Sequence, residues 1–266
     1  AMRAVWIGLA AVAFAWHRFV GPALRRRRPW RVAAVEPEAN GVWTVEMEPP
    51  EGQGAYDVLP GQFHFIPLHR DRSLPEEEHH FTIASSPTRP GRVASTIKES
   101  GDFTATIGQT KVGDTASVQG PFGRFSYRLH PDERDLVFIA GGIGITPLVS
   151  MLRAMRDRQE DRRVLLLYGN RTAEDIAFRD ELDTIAEGEA PDLEVVHVLS
   201  HAADDWTGRT GHVDRGVLDE FLGDGIDGKT FYVCGPGPML EMTVQNLKDM
   251  GARDRQIRTE IFSLVG

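Results

Sequence analysis

The chain has 266 residues, with 39 Asp and Glu against 30 Lys and Arg, and a net charge of −9 at neutral pH. This length has room for two domains, and the acidic balance argues against nucleic acid as a partner. A lone cysteine, Cys234, excludes an intramolecular disulfide, a multi-cysteine zinc site and a cysteine-bound iron–sulfur cluster, so electrons carried here must travel on an organic cofactor.

The chain opens Ala1-Met2, which reads as a cloning remnant and makes a fragment of a longer protein the expectation. Residues 1–28 form the first segment. Ala4 to Trp16 is uncharged and almost wholly apolar; His17-Arg18, a second apolar patch to Leu24 and Arg25-Arg26-Arg27-Arg28 follow. The uncharged core is shorter than the roughly 20 residues of a membrane-spanning helix. A signal peptide carries its positive charge ahead of the apolar run, and an amphipathic helix has a polar face that Ala4–Trp16 lacks. The best fit is a truncated last transmembrane helix, with Arg18 snorkelling and the four arginines marking the cytoplasmic side. This puts the remainder on the cytoplasmic side of the cell membrane, with lipid as a partner. The alternative is a soluble helix packed on the domain.

Residues 29–130 read as all-β. Val42, Thr44 and Glu46 alternate with Trp43, Val45 and Met47, and Pro49-Pro50, Pro60-Gly61 and Pro90-Gly91 break the runs, a pattern that predicts a small antiparallel barrel. Residues 131–266 change character. Apolar runs at Leu136–Ile139, Val164–Tyr168, Leu193–Leu199, Thr230–Cys234 and Ile257–Phe262 alternate with helical patterns, which predicts a five-stranded parallel α/β domain. The run Val137-Phe138-Ile139-Ala140-Gly141-Gly142-Ile143-Gly144-Ile145-Thr146-Pro147 passes from strand through glycines into a helix. Thr146 is a candidate N-cap and Pro147 suits the first helical position. Gly141, Gly142 and Gly144 would let a phosphate approach bare N–H groups at the helix start. The third glycine of G-x-G-x-x-G is missing, so the turn alone leaves both a phosphate cradle and a plain connection open.

Three motifs in order settle which family the sequence resembles. His79-His80-Phe81-Thr82 on a barrel strand, Gly141–Pro147 and Cys234-Gly235-Pro236-Gly237-Pro238-Met239 are together similar to the ferredoxin–NADP reductase superfamily. A histidine in place of the usual arginine at position 79 resembles the ferric reductase and NADPH oxidase branch, which joins this module to a haem-bearing membrane domain. The resemblance implies an FAD-binding β-barrel, then a Rossmann-like NAD(P)-binding domain, with haem only in a membrane domain outside this chain. It implies that Phe81 packs on the flavin ring, Thr82 hydrogen-bonds its N5 and His79 helps hold the pyrophosphate or ribityl chain. His80 stands where the branch has proline. Ser95, Ile97 and Lys98, then Gly101-Asp102-Phe103-Thr104, resemble the flavin-pyrophosphate segment. Pro60-Gly61-Gln62-Phe63 and Gly120-Pro121-Phe122-Gly123 match structural barrel turns.

In the second domain, Gly141, Gly142, Gly144, Ile145 and Thr146 form the implied dinucleotide turn, and Gly169-Asn170-Arg171 ends the second strand. Arginine at that position accepts a ribose 2′-phosphate, so Arg171, with Ser200 and Arg209, points to NADPH, NADH being the alternative. By resemblance Cys234, ahead of Gly235 and Pro236, lies beside the nicotinamide carbon, Phe262 covers the flavin and Glu260 lies beside it. The implied reaction passes hydride from the nicotinamide dinucleotide to FAD, and then single electrons to a haem or other one-electron acceptor. Two alternatives remain: a soluble reductase component of an oxygenase or ferredoxin-type system, and a nucleotide-sensing module without turnover. The final acceptor is not specified by the sequence.

Overall fold

The computed structural model describes residues 2–16, 18, 21, 28–89, 91–223 and 225–261. Helix α1 (Met2–Ala15) forms where the sequence is apolar and free of β-branched runs. Its Val5, Trp6, Ile7, Leu9, Val12 and Phe14, and Trp16 just beyond it, are each more than half exposed, so α1 is not packed into a domain core. Among the described residues no helix is long and apolar enough to cross a membrane. Arg25–Arg27 lie outside the described residues.

Seven strands build the first sheet: β1 (Trp30–Ala39), β2 (Val42–Glu48), β3 (Phe63–His69), β4 (Glu78–Thr82), β5 (Val93–Lys98), β6 (Thr115–Ala116) and β7 (Gln119–Phe122). They pair antiparallel in the order β4-β3-β6-β1-β2-β5, with β7 added on β3. The period-2 pattern does the sorting: Val45 and Met47 from β2 and Ile66 and Leu68 from β3 meet Trp30, Val32, Val93 and Ile97 in one buried core. The four-residue helix α2 (Gly101–Thr104) sends Phe103 into that core.

The second sheet is parallel throughout. It comprises β8 (Asp135–Gly141), β9 (Arg163–Asn170), β10 (Asp192–Leu199), β11 (Arg209–Thr210), β12 (Lys229–Gly235) and β13 (Ile257–Ile261), in the order β11-β10-β9-β8-β12-β13. The expected five strands are present, β13 ending at Ile261 among the described residues. Two-residue β11 is a sixth that the pattern could not reveal, because it is too short to show alternation. Helices α3 (Ile145–Asp157) and α4 (Arg179–Ala186) cover one face, where Leu136, Phe138 and Ala140 of β8 point. Helices α5 (Arg215–Phe221) and α6 (Gly237–Asp249) cover the other, which receives Val137 and Ile139. The sheet order reverses between β8 and β12. The chain leaves β8 and β12 towards helices on opposite faces, so the loops at their carboxyl ends diverge around a crevice, the usual place for a ligand in an open parallel sheet.

Candidate functional site

The crevice is made of the β8–α3 turn and the end of β12. Gly142–Gly144 forms a tight 3-10 turn, and α3 begins at Ile145 with Gly144 as its cap residue. Thr146 is therefore not the N-cap. Its hydroxyl donates to Ile143 O at 3.0 Å, within the turn. The helix has already begun when the chain reaches Thr146, and at the cap itself a Cβ would run into the Cys234 carbonyl and come 2.8 Å from Gly235 Cα, so no capping side chain fits there. Gly142, at φ +51, has open space where a Cβ would stand. The backbone is thus bare on the crevice side and close-packed on the other, which fits a dinucleotide lying across the turn.

Cys234 is wholly buried, and burial, reinforced by the Glu260 carboxylate, pushes its thiol well above the usual range. Glu260 stands opposite Cys234 in the β12–β13 register. Its Oε2 is buried without a hydrogen-bond partner among the described residues, and burial raises its pKa to about 7. A carboxyl kept off solvent with an orphaned oxygen beside a buried thiol is an arrangement that a polar ligand edge completes. Phe262 lies outside the described residues.

On the barrel side, the strand register sorts the histidine motif. His79 and Phe81 sit opposite Ile66 and His64, while His80 and Thr82 sit opposite Phe65 and Phe63. His79 stacks on Phe103 with centroids 4.8 Å apart, and Phe81 lies 6.5 Å from the same ring, so these three residues are brought together. A ring nitrogen of His79 lies 2.7 Å from Glu77 Oε2. His80 is not part of this group. It packs on the opposite face against Phe63 and Phe65, because successive residues of a strand point to opposite sides. Thr82 is 3% exposed, and among the described residues no hydrogen bond ties its hydroxyl.

The expected pyrophosphate segment divides in the same way. Ser95 and Ile97 turn into the barrel core. Ser95 Oγ lies 2.7 Å from His64 Nε2, and Tyr56 OH meets the other ring nitrogen. Complete burial holds His64 neutral, its pKa lowered to about 3. The Ser95 side chain is therefore committed to this internal relay and cannot serve as the expected phosphate contact. Lys98 is half-buried on the opposite side of β5. Gly101, at φ +70, again leaves open space at its Cβ position, and Asp102 is exposed. Phe103 is core, and the Thr104 hydroxyl is tied to Ser100 of its own turn. What α2 offers a phosphate is backbone rather than these side chains.

At the far end of the crevice the loops after β9 and β10 are stitched together. Ser200 N donates to Asn170 O at 3.0 Å and His201 N to Arg171 O at 2.8 Å. Arg171 is exposed, and Ser200 Oγ lies 3.0 Å from His201 Nδ1. Gly169 lets Val213 pack against β9, where a Cβ would come 3.3 Å from it. Asn170 is 8% exposed, and among the described residues both amide atoms of its side chain lack a hydrogen-bond partner. Arg209 departs from expectation: its guanidinium pairs with Glu220 of α5 and lies over the Phe221 ring, turned towards that helix rather than left unpaired. Pro236 follows Gly235 at the mouth of the crevice and is exposed.

Comparison with known proteins agrees with this geometry. Residues 138–245 match the oxidoreductase NAD-binding domain family. The FAD/NAD-binding domain of a nitric oxide dioxygenase from Vibrio cholerae superposes with a TM-score of 0.79 at 22% identity, over 88% of this chain and 98% of that one. The cytochrome P450 reductase GcoB of Amycolatopsis superposes with a TM-score of 0.75 at 26% identity, over 88% of this chain and 69% of that one. The chain has the fold of the ferredoxin–NADP reductase-like superfamily, and its second half matches that fold's NAD-binding domain. The proteins it matches are NAD(P)H-dependent oxidoreductases, among them NADH-cytochrome b5 reductase 1 of Kluyveromyces lactis, and the cofactors they imply are FAD and a nicotinamide dinucleotide. Among relatives, the reductase component of propane 2-monooxygenase from Rhodococcus jostii is 30% identical over 241 residues, 88% of this chain and 63% of that protein. Cytochrome b5 reductase 4 of Rattus norvegicus is 33% identical over 164 residues, 60% of this chain and 31% of that protein. The chain thus spans less than two thirds of either relative. These relatives match the expectation of an oxygenase-type reductase better than that of the ferric reductase and NADPH oxidase branch.

Sequence reasoning missed the face of α3 that ties the two sheets together. Ser150, Arg153 and Asp157 recur at helical spacing inside an apolar run, and that periodicity is the signal that could have found them.

Proposed function

We propose that the chain is the reductase module of an oxygenase or cytochrome-type system: it accepts hydride from NAD(P)H at the β8–β12 crevice and passes electrons singly to a protein acceptor. The observation that carries this reading is the Glu260 carboxyl in register with Cys234, its buried Oε2 without a partner among the described residues, beside the bare Gly142 backbone. FAD, when bound, supplies the exchange between two-electron and one-electron chemistry. The protein's residues do the rest by binding and orientation. Phe81 and His79 offer a ring surface beside β4, and the untied Thr82 hydroxyl is a free donor at its end. The Gly142–Gly144 turn offers N–H groups to a pyrophosphate at the start of α3. Cys234 and Glu260 shape the pocket for the nicotinamide, Glu260 holding a proton near neutral pH that it can donate to a polar edge. Exposed Arg171 is left as the reader of a 2′-phosphate, which favours NADPH.

A second reading, the dehydrogenase module of a ferric reductase- or NADPH oxidase-like membrane protein, draws on the exposed apolar α1 and the arginines after it. The experiment is an anaerobic titration of the purified chain with each nucleotide, followed at the flavin absorbance. Bleaching by nucleotide, then recoloration by a one-electron acceptor protein such as a cytochrome, is the expected result. A bound flavin that neither NADH nor NADPH bleaches refutes the reductase reading in both forms.

A further inference from the structure

Hydride donor and acceptor are held by different sheets, so the reaction geometry is an inter-sheet distance. Helix α3 spans it. Its cap residue Gly144 packs directly on the Cys234 and Gly235 backbone. Nine residues on, about 14 Å along the axis at 1.5 Å per residue, Arg153 Nη1 donates to Ala84 O at 2.7 Å, two residues beyond Thr82. Ser150 Oγ donates to Ser85 O at 3.0 Å, and Thr88 Oγ1 donates to Asp157 Oδ2 at 2.5 Å. Ser150, Arg153 and Asp157 thus lie on one helical face, and all three hold the short segment that leaves β4.

Arg153 is fixed from behind. Its Nε and Nη2 donate to the two carboxylate oxygens of Glu181 on α4, at 2.9 and 2.5 Å, and its guanidinium lies 4.9 Å from the centre of the Phe178 ring. Arg156 continues the chain, reaching Glu181 Oε1 at 3.3 Å and Asp157 Oδ1 at 2.9 Å. Phe178 itself sits at φ +61, a left-handed conformation costly for so bulky a residue, and its N–H donates to Glu38 Oε1 of β1 at 3.2 Å. A bidentate, stacked guanidinium is rigid in a way a lysine cannot copy.

We infer that Arg153, supported by Ser150, is a positioning residue for hydride transfer: it fixes the β4 end that carries Thr82 relative to the Gly144–Cys234 corner. The inference rests on the functional reading above. It does not make Arg153 the glue of the interface, because Met151 against Gly61, and Phe125 against Tyr232, hold the sheets together independently. Removing Arg153 should therefore loosen alignment rather than separate the domains.

The test uses the full chain with FAD bound and the variants Arg153→Met, Arg153→Lys and Ser150→Ala. Stopped-flow reduction by nucleotide, protiated or deuterated at the transferred position, reads alignment. Oxidation of photoreduced enzyme by ferricyanide reads the half-reaction that needs no nicotinamide. Since misplacement by about 1 Å costs about 100-fold, Arg153→Met should slow hydride transfer at least tenfold. Its nucleotide affinity, flavin content and ferricyanide rate should stay unchanged, and its isotope effect should become more temperature-dependent. Arg153→Lys should recover only part of the rate, and Ser150→Ala should show the same pattern more weakly. The inference is overturned if Arg153→Met transfers hydride at the wild-type rate, or if both half-reactions slow together. Should Arg153→Met fail to retain FAD, the Ser150→Ala and Arg153→Lys isotope effects decide, and wild-type values there overturn it equally. A wild-type chain that accepts no hydride from either nucleotide refutes the functional reading instead.

Discussion

Replacing Glu260 by glutamine tests the chemistry of the crevice through stability. The carboxyl's ordinary pKa is 4.5, and burial raises it to about 7 in the folded chain. Between those values the folded state keeps a proton that the unfolded chain has released. The folded state therefore binds more protons there, and stability falls as pH rises. The contribution is full below 4.5 and lost as pH passes about 7. At about 1.4 kcal/mol per pH unit, displacement over that range amounts to roughly 3 kcal/mol. Glutamine keeps the shape and cannot ionise. Glu260→Gln should therefore flatten the stability profile, so that between pH 4.5 and pH 8 the wild type loses about 3 kcal/mol more than the variant. Urea unfolding of both proteins at a series of pH values measures this directly, and using the difference between them cancels every other titrating group. Flavin reduction by nucleotide should fall with rising pH through the same range in the wild type alone. Parallel stability curves for the two proteins would show that Glu260 is not a buried acid, and the argument for the crevice would lose its main support.

Thr82→Ala should retain FAD and slow flavin reduction about fivefold, the effect of one lost hydrogen bond of about 1 kcal/mol; released flavin and stopped-flow rates check both halves. Arg171→Ala should raise the KM for NADPH tenfold or more by removing a charge-assisted contact worth roughly 1.5–3 kcal/mol, with NADH unaffected. Arg209→Ala should alter neither KM, because that guanidinium is paired with Glu220, and an effect confined to NADPH would refute this placement. Deleting residues 1–24 should abolish partitioning into detergent micelles, measured by sedimentation, while leaving the reduction rate by nucleotide as it was. A chain that is already detergent-free with α1 present contradicts the membrane reading.

Much of this arrangement could be read from the sequence because it depends on local periodicity. Alternation at Val42–Met47 and the strand–glycine–helix run at Val137–Pro147 are properties of consecutive residues, and both became the expected elements. The structure adds what the sequence lacks where a side chain's partner is distant. Ser95 looked like a ligand residue because it is polar, yet its partner is His64, a second polar residue buried in the same core. Arg209 looked free, yet its guanidinium pairs with Glu220, on a helix further along the chain. The helix starts ahead of Thr146, on a Gly142–Gly144 turn that packs against Cys234, nearly ninety residues away. Arg153 was invisible for the same reason: its meaning lies in Ala84 and Glu181, not in its neighbours.

The buried cluster under α3 has a consequence for how the molecule melts. Val42, Ala84, Phe125 and Tyr127, from segments on the barrel side, share one apolar core with Leu148, Leu152, Phe138 and Tyr232. Neither half can lose its packing without stripping surface from the other. Heating should therefore give a single cooperative transition rather than two, with calorimetric and van't Hoff enthalpies in agreement. Amide protons at Ala84 and Leu152, from the two sides of this shared core, should exchange through the same opening.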